Sequence, residues 1–190
     1  MDILYAWFFP VVWSAFLVYW QIAAAGSKAT QRIESVSSRI FRTVLLLTGI
    51  LLLSWPRLPV SWLYRHFLPG SALAFFLGAA ITVAGLLFSV WARVTLGTNW
   101  SRSVTIKQNH ELITTGPYTF VRHPIYTGIL AGFLGSALAT TQFRGPLAFV
   151  LIFLSLWYKL RLEEKWMLSQ FGDTYADYSR HTAALIPGLI

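Results

Sequence analysis

Apolar residues run along this chain in five blocks, separated by polar connectors that are mostly basic. Residues 3–25 carry no charge and exceed the roughly 20 helical residues that cross a bilayer core, so they predict a first spanning helix. The start, Met1-Asp2, is acidic, and no small-residue cleavage site follows a short apolar core. That pattern predicts a retained helix rather than a cleaved leader. A polar connector over 26–42 precedes a shorter apolar stretch, 40–55, closed by Pro56; Arg42 near its start is expected to snorkel outward. Residues 69–91 predict a third span, and 93–122 form the longest polar segment.

Residues 124–143 and 145–158 predict the fourth and fifth spans. Only Phe143-Arg144-Gly145 separates them, so they must form a tight antiparallel hairpin. The helical pattern of the fifth continues through Lys159-Leu-Arg-Leu-Glu-Glu-Lys-Trp-Met-Leu168, which predicts one helix that leaves the membrane and enters the cytoplasm. Gly128, Gly132 and Gly135 give the fourth span a small-residue face for close helix contact. The expected fold is an all-α integral membrane protein of about five transmembrane helices, with a C-terminal hairpin of helices 4 and 5 and a cytoplasmic extension. Residues 1–92 would hold helices 1–3, and 93–190 the chemistry.

Composition agrees. Hydrophobic residues are 56% of 190 positions and charged residues 12%, where a soluble domain is nearer a quarter charged, so this surface faces something other than water. The absence of cysteine excludes disulfides, thiolate metal sites and lipid anchors on a thiol. The net charge of +8 does not call for nucleic acid, because positive cytoplasmic loops produce it without a partner. The first connector, the 93–123 loop and the segment from Lys159 onward hold 12 of the 15 Lys and Arg residues; Arg57, Arg65 and Arg144 lie elsewhere. The positive-inside rule then predicts an outside N-terminus and a cytoplasmic C-terminus.

Two segments at the predicted cytoplasmic face carry candidate chemistry. The run His110-Glu-Leu-Ile-Thr-Thr-Gly-Pro-Tyr-Thr-Phe-Val-Arg-His-Pro-Ile-Tyr126 packs two histidines, two tyrosines and an arginine beside the fourth span. Part of it has a plain structural account: Gly116-Pro117 makes a turn, Pro124 opens a helix, and aromatics mark an interface. The second segment, 159–165, sets Lys159, Arg161, Glu163 and Glu164 where a helix leaves the bilayer. Lys159 and Glu163, four apart, are able to pair, yet ionisable groups near membrane depth are functional candidates. Carboxylates, cations and imidazoles at a lipid boundary suit a cationic cofactor and an amphiphilic substrate.

The pattern His-x-Leu-Ile-x-x-Gly-Pro-Tyr-x-x-x-Arg-His-Pro-x-Tyr-x-Gly over 110–128 resembles that of isoprenylcysteine carboxyl methyltransferases and their prokaryotic relatives. So do Glu163-Glu164 followed by Leu168, Phe171-Gly172, Tyr175 and Tyr178, and the tail Leu185-Ile186-Pro187. The resemblance covers 93–190. It implies S-adenosylmethionine in a cytoplasm-facing pocket over the hairpin, lined by His110, Leu112, Ile113, Tyr118, His123, Pro124, Ile125, Tyr126 and Glu163, with Lys107 from the preceding loop. Lys159, Arg161, Glu163 and Glu164 would serve the reaction. The family's eukaryotic pattern has an arginine four residues before the binding glutamate; here that position is Lys159, a point charge without the bidentate fork that grips a carboxylate.

The acceptor implied is lipophilic, a prenylated substrate or small molecule carrying a carboxylate of isoprenylcysteine type, reached through membrane lipid. Phospholipid N-methyltransferases and sterol reductases share part of the C-terminal pattern. The alternatives are therefore a lipid-amine or other small hydrophobic acceptor, an NADPH-using reductase of sterol type, and a non-catalytic membrane scaffold. The reductase lacks an evident basic cluster for a 2′-phosphate. The scaffold predicts that changes at His123 or Glu163 alter stability but no ligand binding.

Overall fold

The structure, a computed structural model, describes residues 2–24, 30–55, 58–97, 100, 105–107 and 112–188. Its elements in chain order are α1 (Asp2–Ala24), β1 (Thr30–Ile33), α2 (Val36–Ser54), α3 (Ala72–Leu96), β2 (Thr105–Lys107), α4 (Pro124–Thr140), α5 (Arg144–Phe171) and α6 (Asp173–His181). Helices α1, α2, α3 and α5 are long and apolar enough to cross a membrane, and α4 is a shorter apolar helix of 17 residues.

Local chemistry sets the helix ends. Ser35 caps α2, its hydroxyl accepting the Ser38 N–H, so α2 begins four residues ahead of the apolar stretch and takes in Arg39 and Arg42. The Arg42 guanidinium reaches back past the start of the helix to the carboxylate of Glu34. Helix α3 runs on past Trp91 to Leu96, and its last turn carries the buried Arg93. That guanidinium donates to the carbonyls of Gly97, at 2.7 Å, and Ala23, and lies 4.7 Å over the Trp100 ring. Arg93 thereby answers the unpaired C-terminal carbonyls of α1 and α3 together.

Helix α5 is continuous over 28 residues, as its apolar-to-amphipathic pattern predicts. The turn before it is tight, with Thr141 left-handed at φ 53°. Its hydroxyl pairs with His66 Nδ1 at 2.7 Å and its carbonyl accepts the Phe67 N–H.

The small-residue face of α4 is buried against α3. A Cβ on Gly128 would stand 2.3 Å from the Gly85 carbonyl oxygen, and one on Gly135 would stand 2.4 Å from that of Gly78. Backbones this close have no room for side chains, the approach that drives helix association in lipid. Polar bonds lie along the seam: Thr82 donates to the Gly132 carbonyl at 3.0 Å and Ser89 to that of Ile125 at 3.0 Å. Helix α2 lies along α5 through Gly49 on Ile152 and a bond from Ser155 to the Arg42 carbonyl. Helix α1 is fixed to α4 by Trp13, which stacks on Phe133 at 4.3 Å and donates to Ser136.

The helical fold carries one small addition. The polar connectors contribute two short strands, β1 and β2, paired antiparallel with Thr30 opposite Lys107 and Ile33 opposite Thr105. Outside the apolar blocks these backbones have no helical partners, and pairing satisfies them.

Gly128→Ala is expected to cost about 1–3 kcal/mol by overpacking the α3–α4 seam. Gly70→Ala, whose nearest neighbours stand 4.0 Å away, is expected to leave stability unchanged. Thermal unfolding in detergent checks both.

Candidate functional site

The predicted residues converge where α4 begins and α5 enters its last third. Pro124 opens α4 and is fully buried, and His123 stands at its N-cap. Two residues after Pro124, the Tyr126 ring stacks on the His123 ring, 5.4 Å between centroids and 6° between planes. Tyr126 donates its hydroxyl across to α5, 2.7 and 2.6 Å from the two oxygens of Glu163. One turn earlier on α5, Lys159 Nζ lies 3.7 Å from Glu163 Oε1 and 5.2 Å over the Tyr126 ring. His123 Nδ1 is 3.7 Å from Glu163 Oε2, and its Nε2 is 3.5 Å from Glu164 Oε1. Nε2 is buried and has no hydrogen-bond partner among the described residues.

Glu164 faces another way. Arg122 Nε donates to its Oε1 at 2.7 Å, and Tyr175 of α6 reaches the same oxygen at 3.5 Å. Arg122 also donates to the carbonyls of Ser179, at 3.1 Å, and Thr182. The tail completes this side: the N–H groups of Arg122 and His123 donate to Ala183 and Ala184, and the Thr127 hydroxyl donates to the Leu185 carbonyl. The tail motif read from sequence is thus a strap across the start of α4. Tyr178 donates its hydroxyl to the Tyr118 carbonyl at 2.5 Å. Burial pushes the Tyr178 phenol up to about 12, with Arg122 pulling the other way. Burial raises Tyr118 too, helped by the Glu163 charge and Tyr178.

Of the residues singled out from sequence, Tyr126, His123, Lys159, Glu163 and Glu164 form one cluster. Ile113 packs against the adjoining core and Leu112 is half-buried beside it in sequence. Tyr118 and Ile125 are buried in that core, Ile125 also giving its carbonyl to Ser89. Arg161 instead lies 5.8 Å over the Trp157 ring. His110 lies outside the described residues, and of Lys107 only the backbone pairing in β2 is described. Arg122 stood inside the motif without a role, and the structure makes it the bridge between α5 and the tail.

The family model described as phospholipid methyltransferase matches residues 73–174. A protein-S-isoprenylcysteine O-methyltransferase of Schizosaccharomyces pombe is 35% identical over 102 residues, 50% of this chain and 42% of that protein. The cobalt-zinc-cadmium resistance protein CzcN of Cupriavidus metallidurans is 35% identical over 101 residues, 50% of this chain and 44% of that protein. The chain thus spans less than half the length of either relative. Among solved structures, the eukaryotic intramembrane Ras methyltransferase ICMT matches with a TM-score of 0.52 at 23% identity, over 83% of this chain and 55% of that one. The fold is the same.

Arg122→Ala leaves the partly buried Glu164 without its cation, a loss of about 1–3 kcal/mol. The expected result is a lower unfolding midpoint and faster proteolysis within the tail after Tyr178. A second expectation concerns pH. Tyr178 titrates higher in the fold than its ordinary value of 10, so its contribution is complete below about pH 10 and lost as pH rises toward 12. The thermal midpoint is expected to fall across that interval, and less steeply in Tyr178→Phe.

Proposed function

The chain belongs to the phospholipid methyltransferase family, and from that premise we propose that it is an S-adenosylmethionine-dependent membrane methyltransferase acting on a lipophilic acceptor. The observation that carries the proposal is the Tyr126–Glu163 pair, flanked by Lys159 and His123 where α5 ends its apolar run. Names of relatives point the same way, since two of those compared are methyltransferases.

The residues present fit such a cofactor. Glu163 holds a single hydroxyl donor across both oxygens and keeps lone pairs for an ammonium group or ribose hydroxyls. A carboxylate beside an aromatic ring also favours a sulfonium cation. His123 Nε2, buried and without a hydrogen-bond partner among the described residues beyond the 3.5 Å approach of Glu164, is the kind of atom a ligand satisfies. Leu112 and Ile113 offer apolar surface for an adenine, and Lys107 and His110 would close the pocket from the loop. Bound there, S-adenosylmethionine supplies an electrophilic methyl group.

The residues then have distinct tasks. Tyr126 orients Glu163 through its hydroxyl. Glu164, held by Arg122, fixes the His123 side of the pocket. The surrounding core, with Ile125, Leu156 and Leu160 buried, excludes water and so strengthens electrostatics at the reacting centre. A carboxylate acceptor is ionised at neutral pH and asks for no base. We infer that acceptor class, with Lys159 beside the carboxylate and Arg161 further out. An amine acceptor must first lose a proton, and His123 or Glu163 is placed to take it. The positive-inside distribution supports an outside N-terminus and a cytoplasmic site, with the acceptor's tail arriving from the lipid.

Calorimetric titration of detergent-purified protein with S-adenosylhomocysteine tests the proposal. One-site saturable binding is expected, weakened at least about tenfold in Glu163→Gln, a change of about 1.4 kcal/mol. Absence of binding by folded protein, in detergent and in lipid nanodiscs, would sink the methyltransferase reading.

A further inference from the structure

Glu34 lies far from the motifs in sequence, between β1 and the cap of α2, and outside the family-matched segment. Its carboxylate is fully enclosed. Ser38 donates to Oε2 at 2.9 Å, and Arg42 donates through Nε at 3.2 Å and again through its terminal nitrogen. Ser35 already caps α2, so starting that helix does not require Glu34. A buried ion pair costs desolvation that apolar residues of similar volume avoid. What it supplies here is a fixed join between β1 and α2.

That join reaches the site along two routes. The Arg42 carbonyl accepts the Ser155 hydroxyl at 2.8 Å, one helical turn before Lys159 on α5. The strand ending one residue before Glu34 pairs with β2, Thr30 opposite Lys107, and β2 rests against α5. The strand β2 therefore carries Lys107, and His110 follows three residues later in the sequence.

We propose that the Glu34–Arg42 pair is a positioning device for the cofactor pocket, holding the β1–β2 clasp against α5 so that cofactor affinity is set in part by the N-terminal half. The inference rests on the methyltransferase reading. Neither residue touches the cofactor; both act through the backbone, by way of β1 and β2 and by way of α2 on α5.

The test separates positioning from plain stability. In the double variant Glu34→Leu with Arg42→Met, no buried charge is left unpaired, so the thermal midpoint is expected within about 4 °C of the parent. Its affinity for S-adenosylhomocysteine is nonetheless expected to fall about tenfold. Parental affinity in the folded double variant overturns the inference and leaves the methyltransferase reading standing. A parent protein that binds no S-adenosylhomocysteine overturns both. A measurement on the unmodified protein serves if the double variant does not fold. Hydrogen exchange at Thr30–Ile33 and Thr105–Lys107 is expected to slow when S-adenosylhomocysteine is added, and unchanged exchange there overturns the inference.

Discussion

Two adjacent carboxylates on one helix point about 100° apart, and that angle divides the labour of α5. Glu163 faces α4 and meets Tyr126 and Lys159. Glu164 turns toward the tail and meets Arg122 and Tyr175. A largely enclosed charge is not tolerated alone, so each imposes its own set of partners. One set is a lock between α5, the start of α4 and the tail. The other is a carboxylate with lone pairs to spare. His123, between the two with one nitrogen toward each, ties the lock to the pocket.

This arrangement requires the first turn of α4 to be held firmly, and the α3–α4 seam does so. Glycines at Gly78, Gly85, Gly128 and Gly135 bring the two backbones into contact. Ser89 then reaches the carbonyl of Ile125, between Pro124 and Tyr126. The residues that orient Glu163 are thus positioned by close backbone approach and by one short hydroxyl side chain.

Much of this was legible in the chain itself. The unbroken α5 followed from an apolar run passing directly into an amphipathic one, and the cluster around Glu163 followed from two motifs in order. The glycine face of α4 declared a close contact but not with whom, because spacing encodes the shape of a surface and not its partner. Arg122 showed no role in the motif, because its bonds go to residues more than forty positions away. The strands are too short to alternate visibly. Glu34 and Arg42 stand eight apart, beyond the one-turn spacing by which helical ion pairs are recognised.

The bond between Ser155 and the Arg42 carbonyl spans 113 positions, whereas that between Tyr126 and Glu163 spans 37. Closing a longer loop costs more entropy before any contact repays it. Folding should therefore proceed outward from the α4–α5 hairpin, with Tyr126 and Glu163 meeting first and α2 arriving afterward. A chain stalled midway would hold the Tyr126–Glu163 pair with one side uncovered. The rate at which α2 docks then sets how long that pair stands exposed.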